Sequence, residues 1–451
     1  MIKKLVLKFK NTSENNRIII VNVLGAFGVK GLALVVSLFT MPAYLRFFND
    51  EYALGLWFTM VSVLNWVLNF DLGIGNGLRN HLTESLAKND NQNAKKYLSS
   101  AYISVGVICV FLSFFLFFVF GFINWNQVFN IETEIVSSEA LLLSVRIVFI
   151  GIIMQMFIRL ISAVLYAIQK SSLNNLIQLC TTVVTLLFVL FLPSKSNDEN
   201  MIAMAIVHGI ACVVPPLLAT FIVFSGKRMR LVRPDFKSFS FTHAKAVLSL
   251  GGVFLVVQIA YMVIMNTNEY LITFLTGNDD VVDYQIYNRL FALGSTAFTL
   301  ALTPVWSAVT KATAERDMKW VKSLYKKLML LGCVFCLGEF LIVAVLQLVV
   351  NLWLGDKAIE VNYFYGLVFA FLGSAMIISS VFASIANGLG KLKPQLVCYT
   401  LGAVSKPFIA WGFVALTGSW IGVIIANIIS VLLYCLIQPI LFSKCLRKEE
   451  S

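Results

Sequence analysis

The chain has 451 residues, 59% of them hydrophobic and only 13% charged, with a mean hydropathy of +0.84 and a formal net charge of +12. No soluble core absorbs that much apolar surface, and apolar runs of about 20 residues recur, each long enough to cross a bilayer as a helix. A soluble enzyme and a nucleic-acid-binding domain are excluded; the chain is an all-α, polytopic membrane protein.

Twelve spans are predicted in chain order: 18–45, 53–78, 97–124, 139–166, 174–192, 201–224, 247–275, 284–310, 328–350, 362–386, 396–416 and 420–441. The connecting segments are too short for a soluble domain. The first span is not a cleavable signal, since it is too long, holds Lys30 and lacks a small-residue cleavage site. With both termini cytoplasmic, 27 of the 35 Lys and Arg fall in cytoplasmic segments, 3 in external loops (Arg46, Lys195, Lys357) and 5 in spans. That asymmetry is the positive-inside pattern. The external loops are acidic, as in "NDE" (49–51), "IETE" (131–134) and "NDDVVD" (278–283). The positive charge therefore records topology rather than a nucleic-acid partner.

Span one places Asn22, Ala26, Lys30, Ala33 and Ser37 at steps of three or four, a small polar stripe with a cation at mid-depth. Span two ends in "NFDLGIGNGLRN" (69–80), with Asp71, Gly73, Gly75, Gly77 and Arg79. This is no dinucleotide fingerprint, which needs a strand before it and a βαβ unit around it. Glycine weakens a helix, so Gly73, Gly75 and Gly77 mark either a hinge or a ligand contact. Ser62, Asn65 and Asn69 share a face, while Asp71 lies about 200° around from Asn69 on an ideal helix. Either the glycines rotate the helix there, or Asp71 pairs with a neighbouring helix. Span four carries Arg146 near its external end and aligns Gln155, Arg159, Ser162 and Tyr166. A basic linker, 225–246, separates six spans (1–224) from six more (247–451). Span seven aligns Gln258, Met262, Met265 or Asn266, and Glu269; span eight aligns Arg289, Thr296, Thr299 and Thr303, next to Pro304. Glu339 and Lys406 lie near the centres of spans nine and eleven.

The halves echo each other. "DEYALGLW" (50–57) parallels "VDYQIYNR" (282–289) at an offset of 232. "TESLAKNDNQNAKKY" (83–97) parallels "TKATAERDMKWVKSL" (310–324) at 227, pairing Ala87, Asp90 and Lys95 with Ala314, Asp317 and Lys322. "YAIQKSSLNN" (166–175) parallels "NGLGKLKPQL" (387–396) at 221. Three matches in one order predict a duplicated six-helix unit with a pseudo-twofold axis along the membrane normal. The 227 offset sets Gly77 on Pro304, a helix breaker in each half.

Past their first residues the spans hold eight charged side chains: Lys30, Asp71, Arg146, Arg159, Glu269, Arg289, Glu339 and Lys406. One facing lipid at the midplane costs about 3 kcal/mol, so they are expected to line a cavity or meet one another. Five cations against three anions suit an anionic solute such as a phosphate or pyrophosphate. Glu269, Glu339 and Asp71 are candidates for carrying a coupling H⁺ or Na⁺ or for gating; for Glu269 an ion pair with Arg289 is the alternative. The three histidines (His81, His208, His243) and eight cysteines suggest no metal site, no cofactor and no hydrolytic triad; Cys333-x-x-Cys336 is half a zinc pattern without its second half.

"FDLGIGNGLRNHLTESLA" (70–87), "EYALGLW" (51–57) and "ANGLGKLKPQ" (386–395) resemble the Wzx-type O-antigen repeat-unit flippases. These are polysaccharide transporters of the multidrug/oligosaccharidyl-lipid/polysaccharide (MOP) exporter superfamily, and the resemblance covers essentially the whole chain. It implies a V-shaped, MATE-like pair of six-helix bundles in the bacterial inner membrane. It further implies a flippase that carries an undecaprenyl-pyrophosphate-linked oligosaccharide from inner to outer leaflet, coupled to H⁺ or Na⁺. Lys30, Arg146, Arg159 and Arg289 would then be the cationic residues of the substrate cavity, and the buried-charge and polar-stripe readings place Lys406 and Asn22 in it as well. Partners implied are membrane lipids, a polysaccharide polymerase and a chain-length regulator. The alternative within the superfamily is a MATE-like, cation-coupled exporter of small molecules. A membrane glycosyltransferase or polymerase would instead display a large external loop with catalytic carboxylates or a metal site, and the external loops are short.

Overall fold

The computed structural model describes residues 14–48, 50–69, 73–129, 131–277, 279–355 and 358–450, and every regular element among them is a helix. Helices close their backbone hydrogen bonds internally, which hydrocarbon demands of any spanning segment. Ten are long and apolar enough to cross a membrane, from Asn91–Phe122 to Ile421–Phe442, and they coincide with expected spans three to twelve. The first two expected spans fall on the helices Glu14–Phe48 and Glu51–Asn69, the latter followed by Ile74–Ala87. Asp71 lies outside the described residues, as do the side chains of Ser37, Ser62, Asn65 and Asn69.

The chain divides into two compact units, Met1–Gly252 and Val253–Ser451. Residues 225–246 thus belong to the first unit. In that unit, Ser138–Ile158 packs on Asn197–Ser225, and Glu14–Phe48 packs on Ser171–Phe191. Its core includes Leu78, Leu82, Leu98, Leu141, Ile161 and Met204. In the second unit, Lys393–Thr417 packs on the helix that begins at Ile421, and Asp279–Ala314 packs on Tyr363–Leu389. Two-thirds of the most apolar window of Tyr363–Leu389 is buried (67%), against 17% for Asn91–Phe122, so the former is a central helix and the latter a lipid-facing one.

The sequence echo has a geometric counterpart in each unit. Asn89 and Arg316, 227 positions apart, both adopt left-handed backbone (φ 55° and 60°). Each precedes an aspartate N-cap: Asp90 accepts from the Asn93 N–H and Asp317 from the Trp320 N–H, both at 3.0 Å. The Asp90 N–H donates to the Ser85 carbonyl (2.9 Å), and the Asp317 N–H to that of Ala312 (2.8 Å). The second turn repeats at the 221 offset, with Gln169 at φ 59° and Gly390 at φ 67°. There Lys170 N–H bonds the Leu165 carbonyl and Lys391 N–H the Ala386 carbonyl. These are helix C-terminal caps, in which one left-handed residue lets the chain reverse while satisfying a last-turn carbonyl.

Candidate functional site

In the second unit the helix Phe241–Asn266 stops at Thr267 and a new one, Asn268–Leu275, begins. A break at the end of an apolar span strips the last carbonyls of their helical partners, and a buried setting supplies no water to replace them. Lys406, on Lys393–Thr417, fills that need. Its ammonium donates to the Ile264 carbonyl, to Thr267 Oγ1 at 2.9 Å and to Asn268 Oδ1 at 2.7 Å, and its side chain is fully buried. A cation at a helix C-terminus also complements the macrodipole. Asn268 completes the repair: its amide donates to the Met265 carbonyl (3.2 Å) and to the Tyr284 hydroxyl (3.0 Å), and Asn427 donates to its Oδ1 (2.9 Å).

Beside this cage lies a cavity of about 400 Å³ whose polar lining includes Asn266, Asn268, Glu269, Asn288, Ser295 and Asn427. Tyr261, Tyr284, Phe291 and Phe369 form its aromatic walls. Glu269 Oε1 accepts from Gln285 Nε2 at 2.8 Å. Glu339 sits one layer away, 1% exposed, with neither carboxylate oxygen hydrogen-bonded among the described residues. It is held between two glycines. A Cβ at Gly294 would fall inside contact distance of Oε1, and one at Gly373, a cavity-lining position, would lie 2.9 Å from Cδ. Amides, one carboxylate and aromatic faces can bind a hydroxylated or cationic group; the buried carboxylate behind them can exchange a proton.

The first unit uses its predicted residues differently. Asn22 is buried and committed to structure: its amide donates to the Gln169 carbonyl (2.8 Å), and its Oδ1 accepts from Ser172 N–H (3.1 Å), capping the start of Ser171–Phe191. Arg146 lies over the Phe117 ring, 4.5 Å from its centroid, and donates to the Phe117 carbonyl at 3.3 Å. Arg159 stands half-buried at the junction of Ser138–Ile158 and Leu160–Ala167, and Lys30 is exposed. Gly73, at φ 62°, opens the helix Ile74–Ala87. Gly77 serves close packing, since a Cβ there would lie 2.5 Å from the Val247 carbonyl oxygen. Gly75 is helical, and the helix Asp279–Ala314 runs through Pro304 without interruption.

Structure therefore gathers Lys406, Glu269 and Glu339 around one cavity in the second unit. Lys406 is not among the lining residues; it reaches the cavity only through Asn268, which accepts its hydrogen bond and lines the wall. Arg289 is exposed, and the ion pair weighed for Glu269 and Arg289 is not formed; Gln285 takes its place. The span-eight stripe of Thr296, Thr299 and Thr303 also misses the cavity, which takes Tyr284, Asn288, Phe291 and Ser295 instead. Thr299 explains the miss, for its hydroxyl donates to the Ser295 carbonyl of its own helix (2.8 Å) and needs no external partner. Sequence reasoning named Arg79 in the glycine run but gave it no role. It is 3% exposed and lies 4.6 Å from the centroid of the Tyr166 ring, whose hydroxyl accepts from Asn174 (2.8 Å). Its signal was an arginine one residue past an apolar run. His81 and His243, distant in sequence, flank Tyr97 with ring centroids at 4.6 Å and 4.5 Å. Among the described residues no group of His, Cys, Asp and Glu is placed to hold a metal.

No family profile matches the chain. It is 23% identical over 403 residues to a protein of Yersinia pseudotuberculosis named "Putative O-antigen export protein", covering 86% of this chain and 87% of that one. Among solved structures it is similar to a MATE protein crystallised in complex with MaD3S (TM-score 0.74, 16% identity, 97% of this chain and 98% of that one). It is likewise similar to an outward-facing multidrug resistance MATE family transporter of the MOP superfamily (TM-score 0.73, 15% identity, 97% of each chain). By fold and by its sequence relatives, the chain is a membrane transporter built on the MATE-type fold.

Proposed function

We propose that this transporter flips undecaprenyl-pyrophosphate-linked oligosaccharide repeat units from the inner to the outer leaflet of the bacterial inner membrane, with both termini cytoplasmic. The observation that carries the reading is the likeness, along 86% of the chain, to the Yersinia protein named "Putative O-antigen export protein". Alternating access is the transport mode, and a H⁺ or Na⁺ gradient drives the reset. Lys30, Arg159 and Arg289, whose charges are exposed or half-exposed, draw the pyrophosphate, and charge attraction of this kind concentrates an anionic substrate. Glu269 and its amide-lined cavity take the coupling ion, with Glu339 as the proton-exchanging or gating carboxylate behind it. Asn22 and Lys406 are given positioning roles instead. A polymerase and a chain-length regulator receive the flipped product.

A second reading, a cation-coupled exporter of small molecules, is favoured by the aromatic walls and the carboxylate of the second-unit cavity. Reconstitution separates the two. Purified protein in liposomes is given a fluorescent prenyl-pyrophosphate oligosaccharide or a cationic dye, and a membrane-impermeant quencher reports the exposed lipid. Accelerated exposure of the lipid supports flipping; dye movement without lipid movement transfers the assignment to the exporter.

A further inference from the structure

We propose that the first unit binds one anionic phospholipid, its phosphate on Arg230 and Arg233 and its acyl chain along the helix Asn91–Val119. Two adjoining hollows make this site. The larger, about 790 Å³, is an apolar groove whose lining includes Ser99, Tyr102, Gly106, Val110, Phe114 and Phe157. From Ser99 to Phe114 the lining positions recur every three or four residues along one helix face, a track of roughly 22 Å at 1.5 Å per residue. That exceeds the roughly 15 Å depth of one leaflet's hydrocarbon. The smaller hollow, about 450 Å³, shares Tyr102 and Pro234 with the groove and adds Thr220, Ser225, Arg230 and Arg233.

Both arginines are exposed, and neither forms an ion pair among the described residues. The wall between the hollows is pinned to the helix. Asp235 N–H donates to Ser99 Oγ (3.0 Å), Ser240 N–H donates to Ser100 Oγ (3.0 Å), and Lys95 pairs with Asp235 at 3.6 Å. At Gly106 a Cβ would stand 3.4 Å from the Phe157 ring, so a large side chain there would crowd the groove wall. A free phosphate would use the arginines and leave the groove empty; a neutral lipid would do the reverse. An anionic amphiphile satisfies both, because guanidinium forks pair with phosphate and the hydrocarbon fills the apolar track. Such a lipid ties the segment after Ser225 to Asn91–Val119, beside the start of the helix Phe241–Asn266.

Native mass spectrometry of the full-length protein in detergent tests this with dioleoyl phosphatidylglycerol and dioleoyl phosphatidylcholine as probes. Two surface arginines give a preference of roughly thirtyfold for the glycerol lipid. Arg230→Ala with Arg233→Ala should bring the ratio close to one. Gly106→Leu should lower uptake of both lipids and leave the ratio unchanged. Equal uptake by the unmodified protein overturns the site, as does a preference that survives the double substitution. Displacement by glycerol phosphate alone removes the groove from the account. Undecaprenyl phosphate displacing phosphatidylglycerol at tenfold lower concentration reassigns the site to a lipid carrier and overturns the phospholipid assignment.

Discussion

Glu339 between Gly294 and Gly373 offers the sharpest test of how the second unit is built. An alanine Cβ at 373 would stand 2.9 Å from Cδ and 3.0 Å and 3.1 Å from the two carboxylate oxygens. Overpacking of this kind costs about 1–3 kcal/mol. Against it stands the helix gain of Ala over Gly, about 0.5–1 kcal/mol. Gly373→Ala should therefore be destabilising by about 1–2 kcal/mol on balance, a fall of roughly 2–8 °C for a unit of this size. With Glu339→Ala in place the clash disappears, and the same Gly373→Ala change should become stabilising by about 0.5–1 kcal/mol. The coupling in this double-mutant cycle should reach about 1–3 kcal/mol, well above the few tenths expected of independent sites. Gly294→Ala should behave in the same way. Thermal unfolding of the four proteins of each cycle in detergent reads the result. Additive effects would refute the sandwich, and with it the placement of a carboxylate directly behind the cavity.

Lys406→Ala should destabilise the second unit by about 3–5 kcal/mol, since it empties a packed volume and orphans the Ile264 carbonyl; a loss under 1 kcal/mol in thermal unfolding would contradict the cage. Lys30→Ala, at an exposed position, should leave stability within about 0.5 kcal/mol and protein levels normal while abolishing lipid flipping; full flipping activity would remove Lys30 from the substrate path. Gln169→Gly and Arg316→Gly should each raise stability by about 1 kcal/mol, because both residues hold left-handed backbone that costs a side chain about that much; a lower melting temperature would show that the side chains matter more than the turns. Burial alone would raise the carboxyl pKa of Asp50, but hydrogen bonds from Asn197 and from the Ala53 and Tyr52 N–H groups more than reverse this and hold it below the usual carboxylate range. A lowered folded-state pKa contributes stability above the unfolded value that is lost as pH falls through the folded one. Melting temperature should therefore fall less steeply below pH 4 in Asn197→Ala than in the unmodified protein, and identical acid profiles would contradict the clamp.

Ten of the twelve expected spans were legible because hydrocarbon tolerates little but long apolar helices, and the two paired turns were legible as matches at offsets of 227 and 221. The sites were harder. No glycine or proline marks the break at Thr267; tertiary contacts with Lys406 and Asn268 sustain it, and Lys406 lies 138 positions from Asn268 in the chain. A buried lysine in mid-span therefore read as a substrate cation when it is a cap for a broken helix. Asn22 misled for a related reason, since an amide on a polar stripe looks the same whether it faces a cavity or closes a neighbouring helix. The threonines of span eight carried a periodic pattern that misses the second-unit cavity, and a helix can satisfy hydroxyls such as that of Thr299 by itself. Arg79 fell one residue outside an expected span, and its burial beside the Tyr166 ring comes from a contact distant in sequence. Glu339 was visible as a charge that hydrocarbon should exclude, but its two glycine neighbours lie on other helices.

The claim that this transporter flips a lipid-linked oligosaccharide is tested most directly by the leaflet position of that intermediate in cells. The chain is deleted and restored in a strain without a functional paralogue, and a probe confined to the periplasmic face labels the sugar. The account predicts that the intermediate accumulates beyond the probe's reach in the deletion and becomes labelled on restoration, while Lys30→Ala fails to restore it. Equal labelling with and without the protein would contradict the account.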